Sequence, residues 1–217
     1  MIQHHPLDDF LLALAAGTLP PGQGLIVSIH LESCAECRGR LHALQAVGGA
    51  ILEEAEPQLL APEALVRVLE RIDGPAPEPA SAPREFDGPA LPPGVRWPAS
   101  LRGCTISRWR WMGPGMRYAR IALPHEKAGA LWALQIGPGK SLARHTHTQV
   151  ELTQVLCGSF DDGRSVFGPG DFDVTDPDVV HQPVVYEGAV CVCLAYVEGR
   201  LRFESKLAGL IGGWIGM

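Results

Sequence analysis

Prolines crowd one internal stretch of the chain, and this stretch limits how the rest can fold. Eight of the 25 residues from Gly74 to Pro98 are proline. Because proline fixes φ and lacks a backbone N–H, such a stretch forms neither a helix nor a central strand. It predicts an extended linker between residues 1–73 and residues 99–217. A chain of 217 residues is long enough for one large domain or for two small ones with separate cores. A linker of this kind would allow two domains to move relative to one another.

The residues before the linker carry helix signals. Four helices are predicted, and they begin near Asp8, Gly24, Cys34 and Pro62. Asp8 and Asp9 are placed to cap the first helix, which Gly17 and Pro20 end. The fourth helix has one apolar stripe, typical of a helix that covers another surface. A four-helix domain this small buries little apolar surface, so it is expected to need an additional stabilising element.

The residues after the linker carry strand signals. Short apolar or alternating runs occupy residues 117–123, 130–136, 151–156 and 189–197. Glycine and proline clusters at 137–139 and 168–170 separate some of these runs. Several short strands at regular intervals predict an all-β sandwich or barrel.

A His-x3-Cys-x2-Cys spacing, formed by His30, Cys34 and Cys37, marks the helical domain. The two cysteines lie at a predicted helix start, where the helix dipole favours their thiolate forms. Thiolate and imidazole ligands on a tight turn fit tetrahedral zinc, and His4 and His5 are the candidates for the fourth ligand. Zinc would supply the missing stabilisation. A redox pair or two buried thiols are the alternatives.

A second set of metal-ligating residue types lies among the predicted strands. His145 and His147 are two residues apart, so their side chains share one side of a strand. Glu151 follows after a short loop, and His181 can enter from a neighbouring strand as the fourth ligand. Three histidines and one carboxylate suit Zn, Mn, Fe or Ni. We therefore predict a second metal site.

Charge and apolar runs limit the partners and the compartment. The formal net charge of −6 argues against direct nucleic-acid binding, which needs clustered Lys and Arg. The N-terminus has no secretory-signal pattern, and no apolar run is long enough to span a bilayer. A cytoplasmic protein with reduced cysteines is expected. The apolar residues 207–217 are expected to contact a core or a second subunit, which allows a homo-oligomer formed through the β-rich second domain.

Two motifs resemble known families. The His30–Cys37 spacing after a short helix resembles the zinc anti-sigma domain, and the run from Gly139 to Gly158 resembles the first cupin motif in full. The second cupin motif keeps His181 but departs from the pattern at three positions, Asp176, Asp178 and Val185. In this order, a zinc anti-sigma domain, a linker and a cupin resemble the ChrR-type zinc-dependent anti-sigma factors over nearly the whole chain.

The resemblance implies a regulator, not an enzyme. Its fold would be a four-helix zinc-binding domain followed by a cupin β-barrel of the jelly-roll type. The family pattern selects His5 over His4 as the fourth ligand and suggests zinc in the cupin. Family members bind and inhibit an extracytoplasmic-function sigma factor and respond through the cupin to singlet oxygen and related oxidants. The implied candidate contacts to the sigma factor are Leu41, Leu44, Val47, Ile51, Leu65, Val68, Leu69 and Ile72, although at least half of them are expected to form an intramolecular core.

Alternatives remain open from the sequence. A mononuclear cupin enzyme, such as a dioxygenase or isomerase, would use the same histidines, with the helical domain serving dimerisation. A redox switch would use Cys34 and Cys37 as a reversible disulfide. Cys191 and Cys193 share one face of a predicted strand, where they are either buried core thiols or oxidant-sensitive residues near the metal.

Overall fold

The structure is a computed structural model, which describes residues 1–75, 88–123 and 129–204. Four helices precede the proline-rich stretch: α1 (Asp8–Ala15), α2 (Pro21–Ser33), α3 (Ala35–Glu54) and α4 (Ala64–Asp73). All four predicted helices are therefore confirmed. The predicted cap of the first helix is wrong, because Leu7 is its N-cap residue and Asp8 and Asp9 lie in its first turn. Their negative charges there stabilise the helix by interacting with the positive end of its dipole. No helix within the described residues is both long and apolar enough to cross a membrane.

The second half is a β domain that opens with a short 3-10 helix (Ala99–Leu101). Its strands within the described residues are β1 (Thr105–Ile106), β2 (Arg110–Gly113), β3 (Met116–Ala122), β4 (Gly129–Ile136), β5 (His145–His147), β6 (Glu151–Cys157), β7 (Phe160–Asp161), β8 (Val166–Phe167), β9 (Phe172–Thr175), β10 (Val184–Val185), β11 (Cys191–Glu198) and β12 (Leu201–Phe203). The four strand runs predicted from the sequence correspond to β3, β4, β6 and β11.

Antiparallel pairing arranges these strands in three sheets. The large sheet has the order β1-β3-β4-β11-β6-β9, with β2 paired to β3. The smaller sheets are β10-β7-β8 and β12-β5. Among the described residues these pairings do not close into one hydrogen-bonded barrel, so the layers form a jelly-roll-like sandwich around an apolar interior. Gly158 turns the chain after β6 with a φ of +69°, and a Cβ there would clash with the backbone of Val190, so only glycine fits.

Apolar side chains cover both faces of the large sheet. One core lies between this sheet and the smaller sheets and includes Trp132, Phe160 and Cys193. The other lies on the outer face, where Leu152 and Tyr196 join Ile26 of α2 in a single buried cluster. This double coverage explains why seven consecutive residues of β11 are buried. The helical domain and the β domain thus share one core rather than having the separate cores that the sequence analysis allowed.

The described end of the proline-rich stretch contacts the β domain. Residues 88–98 contain no helix or strand. Trp97 donates a hydrogen bond from Nε1 to the Pro89 carbonyl, and Trp109 donates one from Nε1 to the Ala90 carbonyl. The two indoles stack at 6.3 Å between ring centroids. The domain limits at 73, 74, 98 and 99 stay predictions, and residues 76–87 and the apolar segment 207–217 lie outside the described residues.

Candidate metal centres

The junction of α2 and α3 brings four ligand-type side chains together. His30 lies in the last turn of α2, Cys34 caps α3, and Cys37 lies in its first turn. His5 comes from the N-terminal segment, with its Nδ1 3.4 Å from Cys34 Sγ and 3.3 Å from Cys37 Sγ. One ligand atom from each of these residues lies within 4.8 Å of the others. We call this group the helical cluster.

His4 lies apart from the helical cluster. Its ring contacts Phe167 at 4.6 Å between centroids. The structure thus places His5, the residue favoured by the family pattern, among the other three and directs His4 elsewhere.

The polar atoms of the helical cluster suit a bound cation. His30 is fully buried, and its Nε2 has no hydrogen-bond partner. Burial is the main cause that lowers the pKa of His30, which keeps its imidazole neutral. Burial, assisted by the neighbouring Cys34, also raises the pKa of Cys37 to about 12. The expected thiolate at the helix start is therefore not favoured at Cys37 by the protein alone, and ionisation needs the charge of a metal.

The β domain gathers a second group, the β-domain cluster, formed by His145, His147, Glu151 and His181. One ligand atom from each lies within 4.8 Å of the others. The Nε2 of His181 lies 3.1 Å from that of His145 and 3.2 Å from that of His147, whose Nε2 is 2.9 Å from Glu151 Oε2. Paired backbone hydrogen bonds between His145 and His181 hold these residues side by side, so the departures from the second cupin motif do not displace His181.

Hydrogen bonds keep the ligands of the β-domain cluster in the protonation states that bind a metal. His145 Nδ1 lies 2.6 Å from the Ala143 carbonyl, which only accepts, so its proton is on Nδ1 and its Nε2 lone pair faces the cluster. Burial opposes ionisation of Glu151, but the hydrogen bond from His147 and the neighbouring imidazoles lower its pKa to about 2. A carboxylate and three imidazoles in a buried space are a suitable ligand set for a divalent transition metal.

Cys191 and Cys193 face the same interior as the β-domain cluster. With His145, Glu151 and His181 they line a cavity of about 30 Å³. A hydrogen bond with Cys191 and full burial raise the pKa of the Cys193 thiol. Because the thiol form reacts slowly with oxidants, these contacts favour the interpretation of core residues over that of sensor thiols.

Arg164 and two aspartates form a charged group beside His181. This group is not predicted from the sequence. The Arg164 guanidinium pairs with Asp162 and with Asp173, the latter at 2.9 Å. The Asp162 carboxylate lies 4.0 Å from His181 Nδ1. Burial opposes ionisation of Asp162, but hydrogen bonds from its neighbours, Arg164 among them, hold its pKa well below the usual range. This arginine pairs with both carboxylates, so the group is an ion-pair network beside the metal cluster.

Two further residues missed from the sequence connect the domains at the helical cluster. Gln154 of β6 lies with its Oε1 3.0 Å from His30 Nδ1. Asp171 accepts backbone hydrogen bonds from Gln3 at 2.6 Å and from His4 at 3.0 Å. In the sequence, Gln154 stands out only as a polar residue within an apolar strand, and Asp171 only as a turn residue after Gly170. Neither feature indicates a metal site.

The fold and the two clusters define a class: proteins that join a helical His/Cys metal-binding domain to a cupin-like domain. Residues 102–198 match the family model of the ChrR cupin-like domain. The chain is 39% identical to the anti-sigma-E factor ChrR of Cereibacter sphaeroides over 210 residues, which cover 97% of this chain and 96% of that protein. The chain belongs to the family of the anti-sigma factor ChrR, as its motifs predict.

A solved structure agrees with this assignment. This protein matches a chain from the crystal structure of Rhodobacter sphaeroides SigE in complex with the anti-sigma ChrR, with a TM-score of 0.73 and 35% identity. The match covers 91% of this chain and all of that chain. The order of a helical domain followed by a cupin-like domain is thus shared over nearly the whole length.

The buried ligands predict that acid destabilises the metal-free protein. Burial lowers the pKa values of His30 and His145 from 6.5, so the unfolded chain binds protons before the folded one. Their contribution to stability is present above pH 6.5 and is lost as the pH falls. The contribution of Glu151 is lost between pH 4.5 and about 2. Calorimetry of chelator-treated protein should therefore show a lower Tm at about pH 5.5 than at about pH 7.5.

Single variants test the source of this acid sensitivity. His145→Ala should flatten the dependence of Tm on pH, whereas replacement of the exposed His42 by alanine should leave it unchanged. Equal slopes in His145→Ala and the wild type would contradict the assignment.

Proposed function

We propose that this chain binds and inhibits an extracytoplasmic-function sigma factor and releases it when oxidants such as singlet oxygen act at the cupin-like domain. The family assignment supports a regulator rather than an enzyme, since the relative that matches over 97% of this chain is an anti-sigma factor. The matching solved structure contains a sigma factor bound to its anti-sigma protein. A cytoplasmic location follows from this function, because sigma factors act on RNA polymerase.

The observation that carries this proposal is an apolar surface left uncovered on α3 and α4. No residue of α4 is buried. Six side chains of this surface are at least 49% exposed: Val47, Ile51, Leu65, Val68, Leu69 and Ile72. Large apolar side chains left exposed in this number on two helices are typical of a protein-binding site. The expectation that at least half of the eight candidate contacts form an intramolecular core is wrong, because only Leu41 and Leu44 are partly buried.

Zinc is the metal that we propose for the helical cluster. Two thiolates and two imidazoles at a buried, four-membered site match structural zinc sites, which leave no position open for substrate. His5, His30, Cys34 and Cys37 would hold this ion. For the β-domain cluster we also propose zinc, held by His145, His147, Glu151 and His181, although Mn, Fe or Ni share this ligand chemistry.

Capture of the sigma factor tests the proposal. Tagged full-length protein, purified from its own cells, should recover an extracytoplasmic-function sigma factor together with bound zinc. Exposure to a photosensitised source of singlet oxygen should lower that recovery by about 5- to 150-fold, the usual range for coupling between two sites. Glu151→Ala should capture the same amount but lose little on exposure, because it removes a ligand of the responding cluster and leaves α3 and α4 unchanged.

The same experiment distinguishes the enzyme alternative. Recovery of no sigma factor, with iron or nickel bound to the cupin-like domain, would contradict the regulatory proposal and support an oxygen-dependent cupin enzyme. Equal loss of capture in Glu151→Ala and the wild type would leave inhibition standing but would contradict a sensor role for this cluster.

A further inference from the structure

Gln154 links the helical cluster to the β domain. This side chain belongs to β6, the strand that begins with Glu151 of the β-domain cluster. It is only 2% exposed, and its amide contacts His30, which lies 124 positions earlier in the chain. A buried amide within an apolar sheet costs free energy unless its polar atoms are paired. Both of its polar groups are paired here, and each pairing has a chemical consequence.

The pairing fixes which nitrogen of His30 carries the proton. Gln154 Nε2 donates to the Val155 carbonyl at 3.0 Å. A carbonyl oxygen can only accept hydrogen bonds, so the NH₂ end of the Gln154 amide must face Val155. The other end of the amide, Oε1, therefore faces His30 Nδ1. Because Oε1 also only accepts, His30 must carry its proton on Nδ1. The lone pair is then on Nε2, the buried atom that lacks a hydrogen-bond partner and that is available to a metal beside Cys34 and Cys37.

A second contact places His5 at the same cluster. The Asp171 carboxylate, itself 5% exposed, accepts hydrogen bonds from the backbone N–H groups of Gln3 and His4. The Phe172 N–H donates to the His4 carbonyl at 3.0 Å. The N-terminal segment is therefore bound along the β domain through residue 4, and this attachment presents the next residue, His5, to the two cysteines.

We infer that Gln154 and Asp171 are positioning residues for the helical cluster, so that the β domain sets the tautomer of one of its ligands and the location of another. The inference rests on the proposed role of His5 and His30 as metal ligands. Residues that hydrogen-bond to metal-ligating histidines change metal affinity by about 10- to 100-fold when they are replaced. The metal affinity of the helical cluster is therefore a property of both domains together.

Cobalt titration of the full-length protein tests this inference. Thiolate ligands give Co²⁺ a charge-transfer absorption, and of the two clusters in the described part of the chain only the helical cluster contains cysteine ligands. Gln154→Leu should weaken Co²⁺ binding measured by this band by about 10- to 100-fold. Gln154→Glu, which keeps the acceptor, should restore most of the affinity. Gln135→Leu is the matched control, since Gln135 pairs with Arg117 on β3.

A spectroscopic measurement separates positioning from a general loss of structure. Nitrogen NMR of metal-free protein should place the His30 proton on Nδ1 in the wild type and in Gln154→Glu. Gln154→Leu should show a larger share of the Nε2-protonated tautomer, because the side-chain acceptor that favours the proton on Nδ1 is gone. A role limited to packing would leave the tautomer unchanged.

The role of Asp171 is tested by replacing it in two backgrounds, the wild type and His5→Ala. Asp171→Ala should weaken Co²⁺ binding in the wild-type background and have little further effect in His5→Ala, because both changes remove the same ligand contact. Asp176→Ala, at an exposed turn residue, is the control. Fully additive losses would overturn this part of the inference.

The remaining outcomes are also decisive. An unchanged band in Gln154→Leu, or an equal loss in Gln154→Leu and Gln154→Glu, would overturn the role of the amide. A wild-type protein with no thiolate band would instead refute the metal-ligand proposal itself, which makes the two failures distinguishable.

Discussion

Cys37→Ser should abolish zinc binding at the helical cluster and reduce capture of the sigma factor by at least about 100-fold, since structural zinc supplies on the order of 10 kcal/mol to small domains. The reason lies in α3. Among its twenty residues, all within the described part of the chain, Cys37 alone is buried. The cluster therefore attaches this helix in addition to its packing against α1, and a serine hydroxyl is a poor zinc ligand compared with a thiolate. Zinc content by mass spectrometry and sigma-factor capture measure the two effects.

Cys104→Ser is the matched control for this prediction. Cys104 is a half-buried thiol that belongs to neither cluster. Its replacement should leave both zinc content and capture at wild-type levels. If Cys37→Ser lost its zinc but retained full capture, the view that the metal holds α3 in its binding position would be wrong. That result would mean that packing against α1 is enough to hold α3.

The double variant Leu65→Glu/Ile72→Glu should lose sigma-factor binding by at least about 100-fold, because buried apolar anchors at interfaces each contribute about 2 kcal/mol or more. The two residues are 67% and 71% exposed in the free protein. Charges there stay in water until the partner covers them, and burying an unpaired carboxylate is costly. Binding should be measured by titration calorimetry with the purified sigma factor.

Stability separates this effect from misfolding. Exposed substitutions change the free energy of unfolding by no more than about 0.5 kcal/mol, so the Tm of the double variant should match that of the wild type. Arg67→Glu adds negative charge to a polar position of the same helix and should retain most of the binding. Equal losses in Arg67→Glu and the double variant would indicate repulsion by net charge rather than an apolar contact surface.

The ligand clusters could be predicted from the sequence because their spacing is largely local. Three ligands of each cluster fall within eight consecutive positions, His30 to Cys37 and His145 to Glu151. At such short separations the geometry of a helix start or of a strand and its loop decides which side chains meet. His181 is predictable as a ligand from a neighbouring strand and from the degenerate second cupin motif. Its pairing with His145 shows that the strand arrangement, not the exact turn residues, brings it to the cluster.

The contact between the domains could not be predicted in the same way. Gln154 and His30 are 124 positions apart, and Asp171 and His4 are 167 positions apart. Nothing in either residue type specifies a partner at that distance. One feature of the sequence does indicate contact on both faces of the sheet, since the uninterrupted apolar run of β11 is typical of a strand buried on both sides. It does not indicate that α2 is the element that packs against it. Proline content indicated a linker and gave no information on whether the joined domains touch.

The core shared by α2 and the large sheet also bears on how the protein distinguishes a strong stimulus from a weak one. Any response that parts the domains must expose Ile26, Leu152 and Tyr196 to water. Such exposure has a large free-energy cost, which a stimulus at the β-domain cluster would have to supply. If the response parts the domains, the size of this interface would set how strong the stimulus must be. Trimming Ile26 to valine would lower the dose at which it responds, and enlarging the contact would raise it.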